Sequence, residues 1–147
     1  MLPLKKDTKD RINKVSVKPK PWGREIWFSW TSKYAGKILE IKHGHRYSLQ
    51  YHIRKTETQY VLSGKVEMTY GQFDRLTKKV GKLRKKTLNT GDKFHVPPYT
   101  VHRAFALIDS RIFEVSTADL DDVVKLADDY GRSGSGNNEA LDRKLSS

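Results

Sequence analysis

A chain of 147 residues, 36% apolar and 31% charged, is long enough to bury the core of one domain. It has no cysteine, which excludes a disulfide framework, a thiolate nucleophile and a thiolate metal site, and fits a reducing cytoplasm. The net charge of +12 is confined to two places: residues 1–20 carry seven Lys or Arg against two Asp, and residues 75–86, "RLTKKVGKLRKK", carry seven cations and no acid. The rest of the chain is neutral, and no aromatic platform stands beside the cations in sequence. The two segments therefore read as solvated basic faces, and nucleic acid is not the expected partner. "MLPLKKDTKD" lacks the apolar run of a signal peptide and no later segment could span a bilayer, so a cytoplasmic protein without membrane contact is expected.

In chain order, residues 1–18 read as a basic flexible arm that becomes ordered near "KPKPWG". "EIWFSW" and "KILEIK" are short, apolar-rich and partly alternating. "KVEMTY" alternates cleanly, with Val66, Met68 and Tyr70 on one face and Lys65, Glu67 and Thr69 on the other. The basic stretch from Gly71 to about Asn89 reads as an extended hairpin or loop. "TGDKFHVPPYTVHRAF" places a Gly-Asp turn before a short strand, with its two prolines at a strand end or in a loop, and "RIFEVS" is a further strand. Short strands punctuated by glycine and proline predict an all-β sandwich or barrel. "TADLDDVVKLADDYG" then changes pattern: an N-cap at Thr117 or Asp119, an apolar stripe and a stop at Gly131 predict one short helix. Residues 133–147 read as a mobile polar tail.

Chemistry concentrates in "GHRYSLQYHIRKTETQYVLSG", residues 44–64. Gln50 and His52 are two apart and share a strand face, and Glu57 follows a possible turn that can return its carboxylate beside them. His102 opens a distant strand. One amide oxygen, two imidazoles and one carboxylate suit a borderline divalent ion: Zn, Fe, Mn, Co or Ni. On spacing alone, the polar face of an exposed strand accounts for the same residues equally well.

Gly44, His52, Glu57 and Gly64 stand at the spacings of the first cupin motif, with Gln50 in place of its first His. "GDKFHVPPYTVH" resembles the second motif through Gly91, Pro97 and His102, with Tyr99 where Gly is usual and Ala106 where Asn is frequent. "KPWG", "SLQYH", the "HR" after the second motif and "DDVVKLADDYGR" further resemble the cupin domain of type II mannose-6-phosphate isomerases. That domain also forms the C-terminal part of mannose-1-phosphate guanylyltransferase/isomerases. The resemblance covers residues 19–132 and implies a single cupin domain, a double-stranded β-barrel (jelly roll) with a short C-terminal helix. It also implies a divalent metal, Zn first, held by Gln50, His52, Glu57 and His102. Arg132 is the implied contact for a sugar phosphate or its enediolate, and Lys55 stands where the family has Arg. Thr58-Gln59 replaces the family's His-Trp.

The implied activity is mannose-6-phosphate/fructose-6-phosphate interconversion through an enediol, with His45, Lys55 and His95 as candidate bases. Alternatives are another metal-binding cupin enzyme, such as an isomerase or epimerase on a different sugar or an oxygenase, and a non-catalytic sugar-binding cupin. A homodimer is implied, with "EIWFSW" as a candidate face; Trp27 and Phe28 packed in the core is the competing reading.

Overall fold

The computed structural model describes residues 11–146. Most of the arm expected over 1–18 lies outside the described residues, and its end is already strand: β1 (Ser16–Lys20) pairs with β2 (Gly23–Trp30). One sheet runs β1, β2, β3 (Ala35–Ile41), β11 (Ser110–Ser116), β5 (Glu57–Ser63) and β9 (Lys93–Val96). The other runs β13 (Gly134–Ser135), β12 (Val124–Ala127), β4 (Leu49–Tyr51), β10 (Thr100–Ala106) and β6 (Lys65–Asp74), with β7 (Lys79–Val80) and β8 (Arg84–Asn89) also paired to β6. All of these pairings are antiparallel. Two facing antiparallel sheets make the expected jelly-roll barrel. Among the described residues no helix is long and apolar enough to cross a membrane.

Alternation decides which side chains fill the barrel. Leu39, Ile41, Val61 and Ile112 from one sheet meet Val66, Met68, Leu88, Ala104 and Ala106 from the other, with Trp22 and Tyr47 closing the cluster. Val66 and Met68 face inward as their period of two predicts, and Tyr70 packs partly buried against them. Each fully buried large aliphatic side chain contributes on the order of 2 kcal/mol, so this cluster is the main apolar support of the fold. The basic stretch is an extended hairpin. β6 continues to Asp74, whose carboxylate accepts from the amides of Leu76 and Thr77 at 2.8 and 3.1 Å, and the chain returns through β7 and β8.

The helix falls elsewhere than expected. Residues 124–127 form β12, paired with Tyr51, Gln50 and Leu49 of β4 and with β13. The three-residue β4 would otherwise leave a backbone edge open, and the β-branched Val123 and Val124 suit an extended chain. Tight backbone bonds such as Leu120 N–H to Ala118 O at 3.0 Å turn the aspartate-rich approach instead of starting a helix. The helix, α1 (Glu139–Leu145), lies in the stretch expected to be a polar tail, capped by Asn138 Oδ1 accepting from Leu141 N–H at 3.0 Å.

Trp27 is core, packed with Ala35, Leu120 and Trp30, whereas Phe28 lies outside, stacked on Phe113 at 5.1 Å. Gly36 makes room for that stack, because a Cβ there would sit 2.4 Å from the Phe28 ring. On the same outer face, Ile26, Ile38, Phe113 and Tyr60 stand in register across β2, β3, β11 and β5, flanked by exposed Leu62 and Val115.

Candidate metal centre

His52 follows β4, His102 lies on the neighbouring β10, and Glu57 opens β5 in the opposite sheet, so the group bridges the two layers inside the barrel. Nε2 of His52 and Nε2 of His102 lie 3.2 and 3.0 Å from the same oxygen, Glu57 Oε1. One ligand atom from each residue can be chosen with all three within 4.8 Å of one another, and all three residues are buried.

Each imidazole is oriented from behind. His52 Nδ1–H donates to Asp122 O at 2.5 Å, and His102 Nδ1–H donates to Thr100 O at 2.9 Å. In a neutral ring that leaves the Nε2 lone pair pointing inward, the tautomer a metal requires. Burial pushes the His52 pKa down despite the nearby Glu57 carboxylate, which favours the neutral ring. For Glu57, burial works against ionisation, but the Lys55 ammonium and the two imidazoles outweigh it and hold the carboxyl well below its usual range. Glu57 Oε2 and His102 Nε2 are buried without hydrogen-bond partners. A carboxylate oxygen and an imidazole nitrogen buried without a hydrogen bond, the former with only the Lys55 ammonium at 3.3 Å, are both of metal-ligating type and fit a divalent cation. Bound there, such an ion supplies Lewis acidity towards a ligand oxygen. Gln50 is paired directly with His102 across β4 and β10 and lines the same interior; its Oε1 accepts from Ser48 Oγ at 2.6 Å.

The turn between His52 and Glu57 is built by Asp122. Its carboxylate accepts from the amides of Ile53, Arg54 and Lys55 at 3.0, 2.5 and 2.8 Å. On the second motif, Tyr99 adopts φ 63°, the left-handed conformation that explains why glycine is usual there. Its N–H donates to His52 O at 2.8 Å, and its ring stacks with Tyr51 and Phe73 while Arg75 lies 4.7 Å over it. The basic hairpin therefore does have aromatic neighbours, brought from three separate strands or turns, which the linear sequence did not show.

Lys55 is buried between two carboxylates, 3.3 Å from Glu57 Oε2 and 3.1 Å from Glu114 Oε2. Burial opposes its charge, but Glu114 and Glu57 push its pKa up, so it is a fixed cation and a poor proton acceptor. Glu114 in turn contacts Lys37 at 3.9 Å, and Lys37 contacts Glu25 at 3.4 Å, completing a chain of alternating charge across the inner face of one sheet. Burial and the Glu57 charge raise the Glu114 pKa to about 7. Of the other candidate bases, His45 contacts His43 O and stacks on Tyr130, and His95 contacts Thr58 Oγ1; neither lines the interior. Arg132 does line it, but with its guanidinium engaged: Nη2 lies 2.9 Å from Asp128 Oδ1 and Nη1 3.1 Å from Asp142 Oδ1.

Sequence reading missed Glu25, Lys37 and Glu114. Their signal was parity: Lys37 shares a strand face with Leu39 and Ile41, and Glu114 with Ile112, so each charge was assigned to the barrel interior by its apolar neighbours.

The family profile described as Cupin matches residues 36–128, almost the whole span from β3 to the end of β12. The chain belongs to the cupin family. Solved structures similar to this cupin include KdgF from Halomonas sp. (22% identity, TM-score 0.58, 72% of this chain and 88% of that one). A second is an RmlC-like cupin from Shewanella frigidimarina (14%, 0.59, 75% and 92%). A third is oxalate decarboxylase from Bacillus subtilis (17%, 0.62), where 76% of this cupin covers 30% of that chain. At such identities the likeness concerns fold alone. No curated protein matches the chain.

Proposed function

We propose that this cupin is a metal-dependent sugar-phosphate isomerase, interconverting mannose 6-phosphate and fructose 6-phosphate through an enediol. One observation carries the reading: the cavity lined by Gln50 and His52 is also lined by Lys20, Lys125 and Arg132. A ligand for it needs oxygens for a metal at one end and negative charge at the other, and a sugar phosphate has both. In this reading Gln50 supplies the fourth metal ligand, His52, Glu57 and His102 supply the other three, and Lys55 fixes the Glu57 carboxylate as an anion. Arg132, with the two lysines, orients the phosphate and offsets negative charge that develops on the sugar oxygens. The protein works as a homodimer joined through the outer apolar row around Phe113.

The test is a coupled assay on mannose 6-phosphate with protein loaded separately with Zn, Mn, Co or Ni. Turnover with at least one metal is expected; folded, metal-loaded protein that is inert with all four would sink the proposal. A second reading, a metal-binding cupin enzyme for a smaller anion, is favoured by the tight interior, whose free space is about 50 Å³. A panel of sugars and small acids, with products and oxygen consumption followed, separates the two.

A further inference from the structure

The C-terminal helix is anchored by a buried charge. Within α1 the sole buried residue is Asp142, at 3% exposure. Its carboxylate spans two cations of the interior cavity: Oδ2 is 2.6 Å from Lys20 Nζ, and Oδ1 is 3.1 Å from Arg132 Nη1. The other ties of this segment are also polar: β13 pairs with the edge of β12, and Gly136 N–H donates to Val123 O at 2.9 Å. Glu139 pairs with Lys18 at 2.7 Å, Asn137 Nδ2 donates to Leu120 O at 3.1 Å, and the buried Lys125 Nζ donates to Gly136 O at 2.5 Å. A helix of seven residues has little stability of its own, so these contacts decide where it sits.

The segment also forms a partition. Outside it lies a cavity of about 750 Å³ that shares Lys125, Arg132 and Asn137 with the interior one of about 50 Å³. Sites for small organic ligands usually enclose about 300 Å³ or more, so the interior, as closed, is too small for a hexose phosphate. Yet it presents Lys20, Lys125 and Arg132 as a cation-rich mouth; Asp128 holds one edge of the Arg132 guanidinium from its own turn, and the carboxylate of Asp142 on the helix bridges Lys20 and the other edge.

We infer that residues 133–146 form a displaceable strap, in which Asp142 takes the place of a ligand's phosphate between Lys20 and Arg132, and that a phosphate-bearing ligand drives the strap out. The inference rests on the interior being the site of such a ligand, as argued above, but not on turnover. Removing Asp142 removes the competitor while leaving the cations; loosening Glu139 weakens the strap without altering the mouth.

The experiment uses inorganic phosphate as the probe, with affinity measured by titration calorimetry on the full chain, Asp142→Asn and Glu139→Gln. Phosphate should bind Asp142→Asn about tenfold and Glu139→Gln a few-fold more tightly than the parent, since closing the strap taxes binding. In the parent, amide hydrogen exchange over residues 133–146 should accelerate when phosphate is bound. Should Asp142→Asn lose its fold, Glu139→Gln and the exchange measurement still decide. Equal or weaker phosphate affinity in the folded variants, no phosphate binding, or unchanged or slowed exchange in the strap overturns the inference. An inert protein in the isomerase assay with these phosphate effects intact would count against the isomerase reading alone.

Discussion

Asp122 holds His52 from 70 residues away: its main-chain oxygen accepts the Nδ1–H of the imidazole at 2.5 Å. The same residue's carboxylate accepts three consecutive amides of the turn that leads to Glu57. Burial disfavours that charge, yet the three amides hold its pKa below the ordinary value. Asp122→Ala should therefore cost on the order of 2–3 kcal/mol through three amides left without their acceptor. It should also weaken metal binding by about tenfold or more through a loosened His52 turn. Urea denaturation and a metal titration measure the two effects separately.

Metal content tests the centre directly. Protein purified without added metal is expected to carry a divalent ion, and His102→Ala and Gln50→Ala are expected to lose most of it while keeping the parent's far-ultraviolet circular dichroism. If both variants retain the parent's metal content, the four-residue site is wrong. If only His102→Ala loses metal, Gln50 is not a ligand.

The buried charge chain makes Lys55 a stability residue as well as a partner of Glu57. Lys55→Met would leave Glu57 and Glu114 facing one another without the cation between them. Breaking such a buried pair typically costs about 3–5 kcal/mol. Lys55→Arg keeps the charge and should cost clearly less. Denaturant midpoints of the two variants check the ordering, and equal losses would point to shape instead of charge.

Acid should act through Glu25. Its burial resists ionisation, but Lys37, Lys20 and the Trp27 indole N–H outweigh it and lower its pKa from 4.5 to about 2. The folded value lies below the unfolded one, so as pH falls the unfolded chain takes up this proton first. The stabilisation is fully present above about pH 4.5 and is lost as pH drops towards 2, and it amounts to roughly 3 kcal/mol by linkage. Glu25→Gln should flatten the fall in stability between those limits; an unchanged pH slope would remove Glu25 from the account.

The outer row around Phe113 should hold the dimer. Exposed Leu62 and Val115 flank it, and an apolar sheet face of this kind calls for a cover. Phe113→Lys is expected to give a monomer in sedimentation velocity without loss of bound metal. A parent chain that is itself monomeric at micromolar concentration would refute this assembly.

Much of this was legible locally. The alternation of "KVEMTY" placed Val66 and Met68 inside, and the spacing of Gln50, His52 and Glu57 brought attention to one strand and the turn after it. Gly44, Gly64, Gly91 and the Pro97-Pro98 pair marked breaks between strands, because glycine alone readily takes the positive φ of a turn and proline cannot donate to a ladder. Two features misled. "TADLDDVVKLADDYG" has the caps and stripe of a helix, but Val124–Ala127 found the open edge of β4, and pairing there outweighed local propensity. The polar tail looked unable to pack because it is small and polar with few apolar residues, but its anchor is the carboxylate of Asp142.

The sequence by itself thus determined an all-β sandwich or barrel and the donor types that one stretch offers, since strand period and donor chemistry are local properties. Only the tertiary structure decided that Glu57 meets both imidazoles across two sheets and that Lys55 lies between Glu57 and Glu114. It alone also decided that the Asp142 carboxylate lies between Lys20 and Arg132. Those are pairings of charges brought from distant strands, and no local pattern records which of them will meet.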